Sequence, residues 1–147
     1  LIRCYNFMSQ HADYIAISFD YSWYLQVGNS FSENSKASHL ECYCTGRQRL
    51  IKMLIEDGHW NINKPHHLLG ASLAREFSFY RNIRNIRSCD TSNPVVAGLL
   101  GHRYIANLAL DFKPSVKLAD LIESEVSVDQ IADITYNVAE FKNIVNL

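Results

Sequence analysis

The sequence predicts a parallel α/β fold. Three short runs read as strands, at residues 14–20, 66–70 and 86–89. The first is nearly continuous in apolar residues and ends in an acid, as expected of a strand in a buried parallel sheet. Helical segments separate and follow the three runs, and strand–helix alternation argues for parallel βα repeats.

The elements follow in order. Residues 1–12 are mixed and read as the end of a helix. Residues 14–20 (Tyr-Ile-Ala-Ile-Ser-Phe-Asp) form the first strand, closing on Asp20. Tyr21, Trp23 and Tyr24 come next, an aromatic cluster that either lines the pocket of a flat ligand or packs under the following loop. Residues 28–38 are polar and without apolar period, a long connection of the kind that is often functional. A helix is expected from about 39 to 57, with Leu50, Met53 and Leu54 on one face and Gly58 ending it.

Lys64-Pro65 leads into the second strand, which runs to Gly70. Residues 73–80 fit a short helix, 82–85 a turn, and the third strand runs to Cys89. Pro94 stands near the start of another helix, where a missing N–H costs nothing. That helix is expected from 95 to about 110 and is apolar apart from His102, Arg103 and Asn107. Residues 115–124 read as one more short helix. Ser127 and Gln130 have the spacing of a capping box and open a last helix with Ile131, Ile134, Val138, Phe141 and Val145 on one face. Three strands cannot close a barrel alone. The chain is therefore either an open α/β layer or the last part of a TIM-like (β/α)8 barrel, and we expect the barrel. The first residue is Leu1, not Met, as in a piece of a larger protein or a sequence lacking its start.

Composition narrows the class further. The 147 residues suffice for one domain with a real core. The net charge of -1 gives no global basic field for a nucleic-acid partner. No apolar run approaches the roughly 18–20 residues that span a bilayer, and no basic start followed by an apolar stretch of signal-peptide type is seen in these residues, so a cytoplasmic protein is expected. Cys4, Cys42, Cys44 and Cys89 read as cytosolic thiols. Cys42 and Cys44 form a Cys-x-Cys pair, but no further ligands lie at zinc spacing. No metal and no cofactor are expected.

In parallel α/β proteins, side chains at the carboxyl ends of strands face the active-site crevice. Asp90 sits where the third strand stops. It is a candidate carboxylate nucleophile, to which Thr91 and Ser92 could donate hydrogen bonds; alternatively it caps the next helix or fixes the turn. Asp20 has the same position on the first strand, with an Asx turn as its structural alternative. His66 and His67 are adjacent on a strand and so face opposite sides; one of them can reach a pocket. Arg75, Arg81, Arg84 and Arg87, with Lys64, form a local basic group that either takes nucleic-acid phosphates or is a solvated face paired with Glu76. Gly98, Gly101, His102 and Arg103 are a weak phosphate-site pattern, which leaves an unrelated phosphate-binding barrel enzyme open.

The runs Lys64-Pro65-His66-His67-Leu68-Leu69-Gly70 and Asp90-Thr91-Ser92-Asn93-Pro94 resemble the tRNA-guanine transglycosylase (queuine tRNA-ribosyltransferase) superfamily. That family carries K/R-P-x-Y-L-M-G on one late barrel strand and D-C-V-x-P-T-R after the next. The resemblance puts Gly70 on the family glycine and implies that Asp90 is the nucleophile. A third, partial likeness is Ile134-Thr135-Tyr136-Asn137-Val138-Ala139-Glu140-Phe141 to the family's I-H-N-L-x-F, with Tyr136 near the zinc-ligand histidine. The family's C-x-C-x-x-C, its paired glycines on the strand that would fall at 14–21, and the arginine of P-T-R are missing. The resemblance therefore implies a divergent, zinc-free relative, akin to phage-type enzymes that insert 7-deazaguanines into DNA. On this reading the chain exchanges guanine for a 7-deazaguanine in tRNA or DNA through an aspartyl–sugar intermediate. Asp20, Tyr21, His67 and Gly70 then bind the guanine-like base, with Tyr21 or Trp23 stacking on it, and Lys64, Arg84 and Arg87 bind nucleic acid. A non-catalytic, nucleic-acid-binding barrel subunit is the rival, and a homodimer is one option for the assembly.

Overall fold

A computed structural model describes residues 1–29, 39–71 and 73–146. In chain order these form α1 (Ile2–His11), β1 (Ile15–Ser18), α2 (Ser22–Asn29), α3 (His39–Glu56), β2 (His66–Leu69), a 3-10 helix (Ala74–Tyr80), β3 (Ile86–Cys89), α4 (Asn93–Leu99), a second 3-10 helix (Leu118–Leu121) and α5 (Val128–Val145). The fold is mixed α/β, with one three-stranded parallel sheet in the order β1-β2-β3. Two compact units share the chain. The first comprises residues 1–70 and 82–90, and the second 71–81 and 91–146.

The first unit holds the sheet. Strand side chains alternate between faces. Ile15, Ile17, His66, Leu68 and Ile86 are buried, while Ala16 and Leu69 are exposed and His67 and Ser88 half-buried. Leu50, Ile51 and Leu54 of α3 are buried as the helical period requires. The helices α2 and α3 pack closely, because Gly46 lets the Tyr24 backbone approach where any Cβ would collide with it. At the amino ends of the strands, Lys64 Nζ donates to the Ala12 carbonyl at 2.7 Å and Trp60 Nε1 to the Arg84 carbonyl at 3.1 Å.

Burying Ile15, Ile17 and Leu68 is the main stabilising term here, at about 1.5–3 kcal/mol for each such side chain.

The second unit contains the 3-10 helices, α4 and α5. Its core joins Ala74, Ala97, Tyr104, Ala109, Leu110 and Ile144, with Tyr136 and Phe141 packed against it. Asn137 is fully buried and fully used: its Nδ2 donates to the carbonyls of Pro94 (3.3 Å) and His102 (2.8 Å), and its Oδ1 accepts from Tyr104 N (2.8 Å). Arg81 donates to the carbonyls of Asn143 and Ile144 at the end of α5, where the last carbonyls lack helical partners.

The sequence expectations need four corrections. The helix expected over 95–110 stops at Leu99. Gly101, at φ +71°, ends it in a Schellman motif: His102 N donates to Ala97 O (2.8 Å) and Gly101 N to Gly98 O (3.0 Å). The aromatic cluster Tyr21, Trp23 and Tyr24 does not pack under a loop: Ser22 opens α2, and Tyr24 is fully buried against α3. Of the polar loop expected at 28–38, residues 28 and 29 end α2, and 30–38 lie outside the described residues. The capping box at Ser127 and Gln130 is present; of the face expected on α5, Val145 is buried and Phe141 packs against the core, but Ile131 is exposed and the buried positions include Asn137 and Ile144, which the pattern did not mark. Among the described residues no helix is long and apolar enough to cross a membrane.

Candidate functional site

Asp90 follows β3 directly, at the carboxyl end of the sheet. Its Oδ1 accepts two hydrogen bonds at 2.9 Å, one from His67 Nε2 and one from the Gly70 amide. Its side chain is 55% exposed, and no hydrogen bond to Oδ2 occurs among the described residues. The expected donors Thr91 and Ser92 do not serve it. Thr91 Oγ1 accepts from Asn93 N (3.1 Å), and Ser92, not Asp90, occupies the N-cap of α4.

The local geometry follows from the sequence of β2 and β3. His66 points inward and is fully buried, so His67 points to the opposite face. An irregularity in register at His66/His67 brings Ser88, not Arg87, beside His67. His67 Nδ1 therefore meets Ser88 Oγ at 2.8 Å, and Ser88 Oγ meets the Tyr14 hydroxyl at 2.7 Å. Gly70 turns the chain at φ +69°, a conformation that costs a side-chain-bearing residue about 1–2 kcal/mol, and its N–H then reaches Asp90.

Arg47 of α3 is completely buried behind these strand ends. Its Nη1 donates to the carbonyls of Leu69 (3.1 Å), Gly70 (3.0 Å) and, more weakly, Ile17 (3.5 Å). The guanidinium also lies 5.1 Å over the Phe19 ring. Cys89, beside Asp90, has its thiol pushed up to about 11 by burial first and by the Asp90 charge second, with Arg47 opposing, so it stays protonated at neutral pH.

The structure gathers only some of the sequence-predicted site residues. Asp90, His67 and Gly70 meet directly. Asp20 is exposed after β1 and takes the hydroxyl of Tyr43 from α3, whose pKa is raised by partial desolvation and then by that carboxylate. Asp20 N also bonds to Ser18 Oγ (3.2 Å), so the serine forms the local turn. Tyr21 stacks edge-on against Tyr24 at 5.3 Å and lines a cleft of about 220 Å³ with Cys4, Tyr5, Met8 and Ala16, beside β1. Trp23 meets Tyr24 edge-on at 6.1 Å. Lys64, Arg84 and Arg87 stand toward the amino ends of β2 and β3, away from Asp90; Arg84 and Arg87 are exposed, and Arg87 bonds Asn85. Tyr136, the residue near the family's zinc ligand, stacks under Arg103 at 4.0 Å. Among the described residues no three His, Cys, Asp or Glu side chains gather as a metal site.

Sequence reasoning missed Tyr14, Ser88, Tyr43 and Arg47. Only Arg47 left a signal, a charged residue on the buried stripe of α3 one turn before Leu50 and Ile51. Compared with known protein families, curated proteins and solved structures, the chain matches none.

Proposed function

We propose that the chain is a transglycosylase-like enzyme that exchanges guanine for a 7-deazaguanine base in tRNA or DNA, with Asp90 as its nucleophile. The observation that carries this reading is the asymmetry of the Asp90 carboxylate. One oxygen is held by two donors at 2.9 Å, and the other has no hydrogen-bond partner among the described residues, on a half-exposed side chain. A carboxylate fixed in this way is aimed without being neutralised. Support also comes from the two runs behind the resemblance, since Gly70 and His67 of one bond directly to Asp90 of the other.

In the proposed reaction, Asp90 Oδ2 attacks C1′ of the target nucleoside. The glycosidic C1′–N bond breaks, its electron pair leaves with guanine, and an acid or water protonates the departing base. A deprotonated 7-deazaguanine then attacks the same carbon, and the Asp90–sugar bond breaks to restore the carboxylate. The reading also makes the sheet part of the wall of a TIM-like barrel. Parallel sheets are covered on both faces, and exposed Ala16 and Leu69 would then look into the lumen together with His67 and Ser88. Asp20 and Tyr21 would belong to base binding, with Arg84 and Arg87 the exposed cations available to phosphates.

The test is release of labelled guanine from tRNA and from duplex DNA by the native protein and by Asp90→Ala. Loss of label from one polymer, abolished in the variant, supports the nucleophile and identifies the polymer. Binding of nucleic acid with no exchange from either polymer would make this a non-catalytic binding module.

A further inference from the structure

The hydrogen bonds around Asp90 extend beyond it as a continuous series, Tyr14–Ser88–His67–Asp90, with contacts of 2.7, 2.8 and 2.9 Å. Its proton positions follow from donor and acceptor inventories. An ionised Asp90 only accepts, so Nε2 of His67 carries the hydrogen that faces it. In the neutral ring Nδ1 is then an acceptor, and the Ser88 hydroxyl must donate to it. The Ser88 oxygen is left to accept, and the Tyr14 hydroxyl supplies the donor. Each hydroxyl and ring nitrogen has one compatible role, and no other assignment satisfies all three contacts with an ionised Asp90 and a neutral ring.

Burial does not require this series. The Asp90 side chain is 55% exposed and His67 23% exposed, and Tyr14 is 44% exposed. Water could satisfy such groups with little loss, because a typical net hydrogen bond is worth only about 0.5–1.5 kcal/mol. Four polar side chains, on three adjacent strands and their flanking residues, are nevertheless linked in series, ending on a carboxylate whose second oxygen has no hydrogen bond among the described residues. We propose that His67 is the positioning residue of Asp90, held in its Nε2–H form and in one ring orientation by Ser88, which Tyr14 orients in turn. Its catalytic meaning rests on the transglycosylase reading, but its proton arrangement does not. In that reaction Oδ1 becomes the carbonyl oxygen of the aspartyl–sugar ester. The His67 and Gly70 N–H groups continue to donate to it and stabilise the carboxylate as it leaves in the second half-reaction.

The experiment has two independent readouts on the full chain. Nitrogen-15 NMR of the histidine rings at neutral pH, with His67 assigned from His67→Gln, is expected to show a protonated Nε2 and a bare Nδ1. The Nε2 proton should be slow to exchange in wild type and fast in Ser88→Ala. A His67 ring protonated at Nδ1 with Nε2 bare overturns the proposal whatever the activity. In guanine exchange, His67→Ala should lower kcat roughly 10- to 100-fold with KM unchanged. His67→Gln, which keeps an N–H within reach of Asp90, should recover much of that loss. Unchanged kcat in His67→Ala, or a loss confined to KM, also overturns the proposal. Exchange that survives in Asp90→Ala would instead sink the nucleophile reading and leave the NMR result standing.

Discussion

Arg47 and Gly70 are joined by a hydrogen bond of 3.0 Å, from the guanidinium to the glycine carbonyl. Gly70 donates its own N–H to Asp90, so a buried cation on α3 supports the backbone that supports the candidate nucleophile. Replacing Arg47 by Met removes the donor shared by the carbonyls of Ile17, Leu69 and Gly70. We expect a loss of about 2–4 kcal/mol in unfolding free energy, read as a lower urea midpoint with the slope preserved. An unchanged midpoint would mean that the strand ends do not depend on this side chain.

Gly70→Ala separates aim from stability. At φ +69° the added Cβ finds only Phe19 at 3.6 Å, an ordinary contact, so the cost is conformational and about 1–2 kcal/mol. If the backbone relaxes to negative φ, the amide turns away from Asp90. Guanine exchange should then fall by more than the loss of folded protein explains. Activity that tracks only the folded fraction would show that the Gly70 amide does not hold Asp90.

Close helix approach gives a stability prediction in each unit. A Cβ at Gly46 would meet the Tyr24 backbone and side chain, and one at Gly98 would meet the Ile134 backbone nitrogen at 2.6 Å. Alanine ordinarily improves an exposed helix by about 1 kcal/mol over glycine. Here overpacking should reverse the sign, giving a loss of roughly 1–3 kcal/mol in either variant. Thermal unfolding decides it, and a raised Tm for Gly46→Ala would contradict the packing of α2 on α3.

His66 makes stability depend on pH. Its ring stacks on Trp60 at 3.8 Å, and its Nε2 meets the Tyr5 hydroxyl at 2.8 Å. Burial pushes its pKa down to about 4 from the usual 6.5, against smaller raising effects of backbone bonds at Asn85 and Lys64. Between those values the unfolded chain binds the proton and the folded chain does not. Stability is therefore full above about pH 6.5 and is lost as pH falls toward 4, by up to about 3 kcal/mol. Unfolding free energies at pH 7 and pH 4.5 should differ less in His66→Gln than in wild type. Equal differences would remove His66 as the cause.

Much of this architecture was legible in the sequence, for local reasons. The apolar run at Ile15–Ser18, the proline in the first turn of α4 and the Ser127 capping box each announce an element through their own chemistry. The end of α4 was misread because Gly98 and Gly101 look alike in sequence. The first allows close helix packing and the second supplies the left-handed turn, a distinction that needs the tertiary neighbours. In the site, Asp90, His67 and Gly70 were readable because each ends or lines a strand. Ser88 and Tyr14 were not, since their partnership with His67 depends on strand order and on a register irregularity that no local pattern encodes.

The nucleophile is tested most directly by trapping its covalent intermediate. The full chain would be incubated with guanine-containing tRNA or duplex DNA, denatured, and digested for mass spectrometry of the peptide carrying Asp90. A sugar-linked adduct on Asp90, absent in Asp90→Ala, is the expected result. Guanine exchange without an adduct, or exchange undiminished in the variant, would contradict it.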